Sequence, residues 1–200
     1  MRFDLRIVTS LIEPGSRVLD LGCGTGDLLS TLREGKGVEG RGIEIDEKEV
    51  IACVEKGLSV LQGDMHEETR DLADGSFDYV ILSQTLQQVY DPERIIAEML
   101  RIGKRGIVSF PCFSHVAIKA QLLFRSRAPV TRELPYQWYD TPNIRVITLR
   151  DFRAFCAERG ISILEEIAVA THPGAEAGRV VRFLPDWFAR YGVFLIARGR

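Results

Sequence analysis

Three glycines stand at alternate positions in Val18-Leu-Asp-Leu-Gly-Cys-Gly-Thr-Gly-Asp27, so that Gly22, Gly24 and Gly26 lie between an apolar run and an amphipathic segment. A turn without side chains lets a ligand lie against the backbone. Other groups have the chemistry to serve the same ligand. Asp20, at the end of the first apolar run, can attract an amine directly or through water, with the Gly22 carbonyl as a second acceptor, or it can simply stabilise the loop. Glu44 closes a second β-rich run, where a carboxylate can accept both hydroxyl protons of a ribose. Asp46 competes for that role but precedes a helical segment and reads better as its N-cap. Asp64 offers a carboxylate to an adenine amino group and Met65 a flexible thioether to the ring face, the plain alternative being a turn followed by a core methionine. Ser83 and Gln84 follow a fourth run and can line the far end of the pocket or hold their own loop.

Charge discriminates between ligand classes. The dinucleotide pattern G-x-G-x-x-G would need glycine at position 27, where Asp27 sets an anion against the pyrophosphate. S-adenosylmethionine (SAM) has no phosphate and carries a sulfonium cation and a zwitterionic methionine tail, so carboxylates favour it. The expected cofactor is SAM or its product S-adenosylhomocysteine (SAH), with a nicotinamide dinucleotide as the disfavoured competitor.

These residues need a scaffold that brings strand ends together. Short β-rich runs at Arg17–Leu21, Arg41–Ile45, Leu58–Gln62 and Phe77–Ser83 alternate with helical patterns starting near Asp27 and Glu47. That rhythm predicts a doubly wound, mostly parallel sheet with helices on both faces. Asp91-Pro92-Glu93 opens a further helix that turns Ile95, Ile96, Met99 and Leu100 inward, and Gly106–Phe110 supplies the fifth strand. Residues 112–145 carry Pro129, Pro135 and Pro142 beside Tyr136, Trp138 and Tyr139 and read as an insertion or lid. Thr148-Leu-Arg-Asp151 has the form of a capping box for a helix ending at Gly160, and strands near Ile161–Val169 and Val193–Ala197 complete seven. His172-Pro-Gly174 reads as a surface turn.

With 200 residues, 46% of them hydrophobic and 27% charged, the chain has the size of one domain over 1–200, opened by an amphipathic lead-in helix over 1–13. A net charge of −2 gives no global attraction to nucleic acid or to an anionic membrane, and neither is expected as a partner. No apolar run approaches membrane-spanning length, and Arg2, Asp4 and Arg6 interrupt the N-terminal one. Cys23, Cys53, Cys112 and Cys156 lack metal-site spacing, so the reading is a cytoplasmic protein with reduced thiols and no metal.

The motifs VLDLGCGTG, GIEID, LQGD and FDYVILS resemble those of class I SAM-dependent methyltransferases. SQTLQ at Ser83–Gln87, EMLRIGKRGIVSFP at Glu98–Pro111 and LPYQWYDTPNI at Leu134–Ile144 narrow the resemblance to the methionine biosynthesis protein MetW family. It covers nearly the whole chain. Cys112, Ser114 and Val116 depart from an expected Asn, Gly and Trp. The resemblance implies a Rossmann-like methyltransferase fold and a SAM-binding protein that associates with homoserine O-acyltransferase and supports or regulates it. The alternative is a methyltransferase acting on an unidentified small molecule; pairing of two copies as a homodimer is compatible with either. On the acceptor side the candidates are His115, Tyr136, Tyr139 and Asp140, none with an assigned catalytic role. Gln87-Gln88 stands where many small-molecule methyltransferases carry a histidine; an amide binds but is no useful base, which favours a sensor or partner.

Overall fold

The computed structural model describes residues 2–199; Met1 and Arg200, which fall within the expected domain span and, for Met1, the lead-in helix, lie outside the described residues. Eight strands form one sheet: β1 (Arg17–Leu21), β2 (Glu39–Glu44), β3 (Ser59–Gln62), β4 (Phe77–Ser83), β5 (Gly103–Pro111), β6 (Ile161–Thr171), β7 (Gly178–Val180) and β8 (Tyr191–Arg198). Their order is β3-β2-β1-β4-β5-β8-β6-β7. The pairs β1–β2, β1–β4, β2–β3 and β4–β5 are parallel, whereas β8 is antiparallel to both β5 and β6.

Seven strands were expected and the eighth is β7, a short antiparallel addition at the β6 edge. Its three residues are all exposed and too few to show any alternation of polarity.

Alternation along the strands sends side chains to opposite faces. Val18, Tyr79, Ile81, Ile107, Val193 and Leu195 pack under α1 (Phe3–Ser10), α2 (Asp27–Lys36) and Cys53 of α3 (Glu47–Glu55). Leu19, Leu21, Val80, Leu82, Val108, Phe110, Phe194 and Ile196 form the other core. There they meet a one-turn α4 (Met65–Glu68), α5 (Pro92–Ile102) and α7 (Leu149–Glu158), while α6 (Val116–Arg125) and a one-turn α8 (Pro185–Phe188) lie outside the regular alternation.

Local signals in the sequence set the helix starts. Asp46 accepts hydrogen bonds from the Lys48 and Glu49 amides, Asp91 accepts from the Arg94 amide, and Thr148 and Asp151 form the reciprocal capping box. The insertion is more ordered at its start than expected, because α6 occupies Val116–Arg125; no helix or strand follows until Leu149. The lead-in helix is shorter than 1–13, ending at Ser10, with Lys36 donating to the carbonyls of Thr9 in its last turn and of Ile12 beyond it.

Candidate cofactor site

The sheet order reverses between β1 and β4, leaving a crevice outside their carboxyl ends, where open α/β sheets bind ligands. Register aligns the ends that matter: Leu21 lies opposite Ile43, Glu44 opposite Gln62, and Ser83 opposite Ser109. The glycine turn leaves β1 here. Gly22, Gly24 and Gly26 all have left-handed backbone, with φ of +71°, +53° and +74°, which is why glycine fills all three positions. Gly22 N–H donates to the Ile43 carbonyl at 2.8 Å, pinning the turn to β2.

Two cavities open on either side of this turn and share Gly22 and Gly24. The larger, about 520 Å³, is lined by Glu44, Glu49, Asp64, Met65, His66 and Tyr90 among others. Its described lining holds carboxylates and no lysine or arginine. A pyrophosphate would be repelled there and a cationic nucleoside attracted. Glu44 is already engaged: Oε2 accepts from the Gly24 amide at 2.9 Å, and Oε1 accepts from Ile45 and Asp46. The carboxylate therefore shapes the turn as well as facing the cavity. Asp64 caps α4, one oxygen accepting from the His66 amide at 2.7 Å, and Met65 packs between the cavity and the core.

The smaller cavity, about 150 Å³, is lined by Arg2, Asp20, Thr25, Asp27, Ser83 and Gln84, together with the shared glycines and their neighbours. Asp20 is 2% exposed and its Oδ1 has no hydrogen-bond partner among the described residues. Burial, helped by the nearby Glu44 charge, pushes its carboxyl up to about 7. A buried carboxyl oxygen without a partner at a cavity wall is free to accept from a bound group. Asp27 is an anion, as expected, but a paired one: Lys56 Nζ sits 2.6 Å from its Oδ1, and that hydrogen bond holds the Asp27 carboxyl below its usual range. The repulsion of phosphate thus comes chiefly from the carboxylates of the larger cavity.

Ser83 Oγ lies 2.9 Å from Ser109 Oγ. Gln84 adopts φ +56°, costly for a residue with a side chain, and turns its amide onto the buried Asp4 of α1. Asp4 also receives the Arg2 guanidinium at 2.6 Å. Arg2, legible in sequence only as a break in an apolar segment, thereby lines the small cavity, and Asp4 ties it to Gln84.

Gly26 departs from its expected role. A Cβ there would stand 2.4 Å from Leu58 Cδ1 and 2.8 Å from Cys53 Sγ, so its missing side chain admits Cys53 of α3 and Leu58 just before β3, and it lines neither cavity. The acceptor-side candidates also fall elsewhere. His115 caps α6, its Nδ1 accepting from the Ala117 amide, while Tyr136, Tyr139 and Asp140 line neither cavity. Of the glutamine pair, Gln88 faces the larger cavity and Gln87 is buried, donating to the Gln84 carbonyl. Thr85, Val89 and Tyr90 line the larger cavity without having been singled out. Tyr90, an aromatic just before the Asp91-Pro92 helix start, was their one sequence signal.

The family model described as methionine biosynthesis protein MetW matches residues 2–196. The chain belongs to the MetW family. Its relatives include the bifunctional methionine biosynthesis protein MetXA/MetW of Rhodopirellula baltica, 32% identical over 176 residues, covering 84% of this chain and 28% of that protein. A ubiquinone/menaquinone biosynthesis C-methyltransferase of Stenotrophomonas maltophilia is 34% identical over 110 residues, 50% of this chain and 43% of that one. The MetW-family chain thus spans less than half the length of these curated relatives. Among solved structures, a SAM-dependent methyltransferase from Thermotoga maritima, described as a possible histamine N-methyltransferase, superposes with a TM-score of 0.70 at 21% identity. It covers 98% of this chain and 87% of that one, which establishes the class I methyltransferase fold. No helix among the described residues is long and apolar enough to cross a membrane.

Proposed function

We propose that this MetW-family protein binds SAM or SAH in the paired cavities and acts as a partner of homoserine O-acyltransferase, supporting or regulating it in methionine biosynthesis. The cofactor half of the reading is carried by one observation: the buried, unpartnered Asp20 carboxyl lies on one side of the glycine turn, and a cavity lined by Glu44, Glu49 and Asp64 on the other. Adenosine occupies the larger cavity, with Glu44 on the ribose through its remaining acceptor capacity, Asp64 on the adenine amino group and Met65 on the ring. The methionine tail enters the smaller one, its ammonium on Asp20 and its carboxylate towards Arg2, beside Ser83.

The partner half rests on family membership and on the relative whose name joins MetXA to MetW. Tagged protein should co-purify with the acyltransferase from its own cell and alter acyltransferase activity, and a pull-down with and without SAM tests both. No association at micromolar concentration would sink the partner reading. A second reading, methyl transfer to a small molecule, draws on the likeness to the C-methyltransferase. Transfer itself needs mainly alignment of the acceptor with the sulfonium methyl. The absence of product across a broad acceptor panel would count against it.

A further inference from the structure

We propose that the groove between α6 and the segment following it is a docking site for an acidic, aromatic-bearing segment of the acyltransferase; this rests on the partner reading above. The groove, about 760 Å³, is lined by Gln121 and Arg125 on α6 and by Arg127, Val130, Trp138 and Tyr139 beyond it. Between Val116 and Arg132 the sequence holds Lys119, Arg125, Arg127 and Arg132 and no carboxylate, in a chain whose net charge is −2. Several arginines elsewhere are ion-paired, among them Arg101 with Glu98 and Asp74, Arg153 with Glu166 and Asp186, and Arg190 with Glu133. Arg125 and Arg127 have no carboxylate partner among the described residues. In the wall segment, Asp140 accepts from the Gln137 amide and Glu133 is engaged by Arg190.

The apolar content beside these cations is equally unmatched. Trp138 and Tyr139 meet edge to face at 5.6 Å yet stay 76% and 70% exposed, and Leu123 and Phe124 are exposed on α6. Aromatic and arginine side chains held together in a concave, exposed patch are the residues that dominate protein interfaces. The walls are braced, because the Gln121 side chain both donates to the Val130 carbonyl and accepts from its amide. Two arginines among aromatics are too few to track a phosphate backbone, whereas carboxylates with an aromatic neighbour match both halves of the groove. Its residues line neither cofactor cavity.

The test is binding of purified acyltransferase to wild type, to the double variant Arg125→Glu, Arg127→Glu, and to Trp138→Ala, with SAH binding as the control for an intact fold. The expected result is a loss of about tenfold or more for the charge reversal, a smaller loss for Trp138→Ala, weakening by salt, and unchanged SAH affinity. Equal binding by wild type and the charge-reversed protein overturns the groove and leaves the partner reading standing. No binding by wild type overturns both. Arginine-dependent binding of an oligonucleotide in place of the acyltransferase overturns the acidic-peptide occupant.

Discussion

Asp20 concentrates the site's chemistry at the scale of one residue. Its carboxyl is pushed up to about 7 by burial and by Glu44, while Arg2 and Asp27 also face its cavity. Ionising it in the free protein is costly, so its contribution to stability is fully present below the ordinary carboxylate range and is lost as pH rises through about 7. Binding runs the other way, because the ligand ammonium needs the ionised form. SAH affinity should therefore climb by up to about tenfold per pH unit below 7 and level off above it, with a proton released on binding. Calorimetry in buffers of different ionisation enthalpy reads this directly; a flat profile in wild type, or the same slope in Asp20→Asn, would show that Asp20 does not receive the ammonium. Glu44 makes a second residue-scale prediction. Glu44→Ala should weaken SAH binding by about 1–3 kcal/mol, since it would remove the proposed ribose bonds and untie the Gly24 amide. Unchanged affinity would refute the ribose assignment.

The glycine turn shows how one element can serve two purposes. Gly24 has open space where a Cβ would stand and lines both cavities, whereas Gly26 is packed against Leu58 and Cys53. Gly26→Ala should lower stability by about 1–3 kcal/mol through left-handed strain and overpacking, read as a drop in melting temperature. Gly24→Ala should cost less stability and proportionally more SAH affinity; the reverse ranking would undo the distinction. Sequence spacing exposed the turn because glycines at a strand-to-helix junction have few other uses, but it could not separate these roles, since the neighbours of Gly26 are Cys53 of α3 and Leu58 just before β3. The same limit hid Arg2, whose place at the cavity depends on α1 folding back beside Gln84, 80 positions away from the Asp4 that links them. The α6 helix escaped because Leu122, Leu123 and Phe124 are contiguous and exposed, so no helical period stands out. By contrast, Asp46, Asp91 and Thr148 announced their helices because a cap is decided within three residues.

Across the whole molecule, the insertion is fastened to the cofactor cavity. The Ile144 and Arg145 amides donate to the Gln87 carbonyl at 2.9 and 3.0 Å, and the Arg145 guanidinium donates to the carbonyls of Val89 and Tyr90, both of which line the larger cavity. These bonds give a ligand that orders Val89 and Tyr90 a route to the segment leading back to Trp138 and Tyr139, the surface proposed for the partner. Differential binding to one site changes affinity at the other by the same factor in both directions. The acyltransferase partnership is a proposal built on the family and on the joined MetXA/MetW relative, while the shared fold by itself fixes no reaction. The most direct measurement is a calorimetric titration of purified homoserine O-acyltransferase into this protein, without ligand and again in saturating SAH. Saturable association at micromolar concentration or below is expected, with an affinity that SAH shifts severalfold; no association in either condition would rule out the partnership.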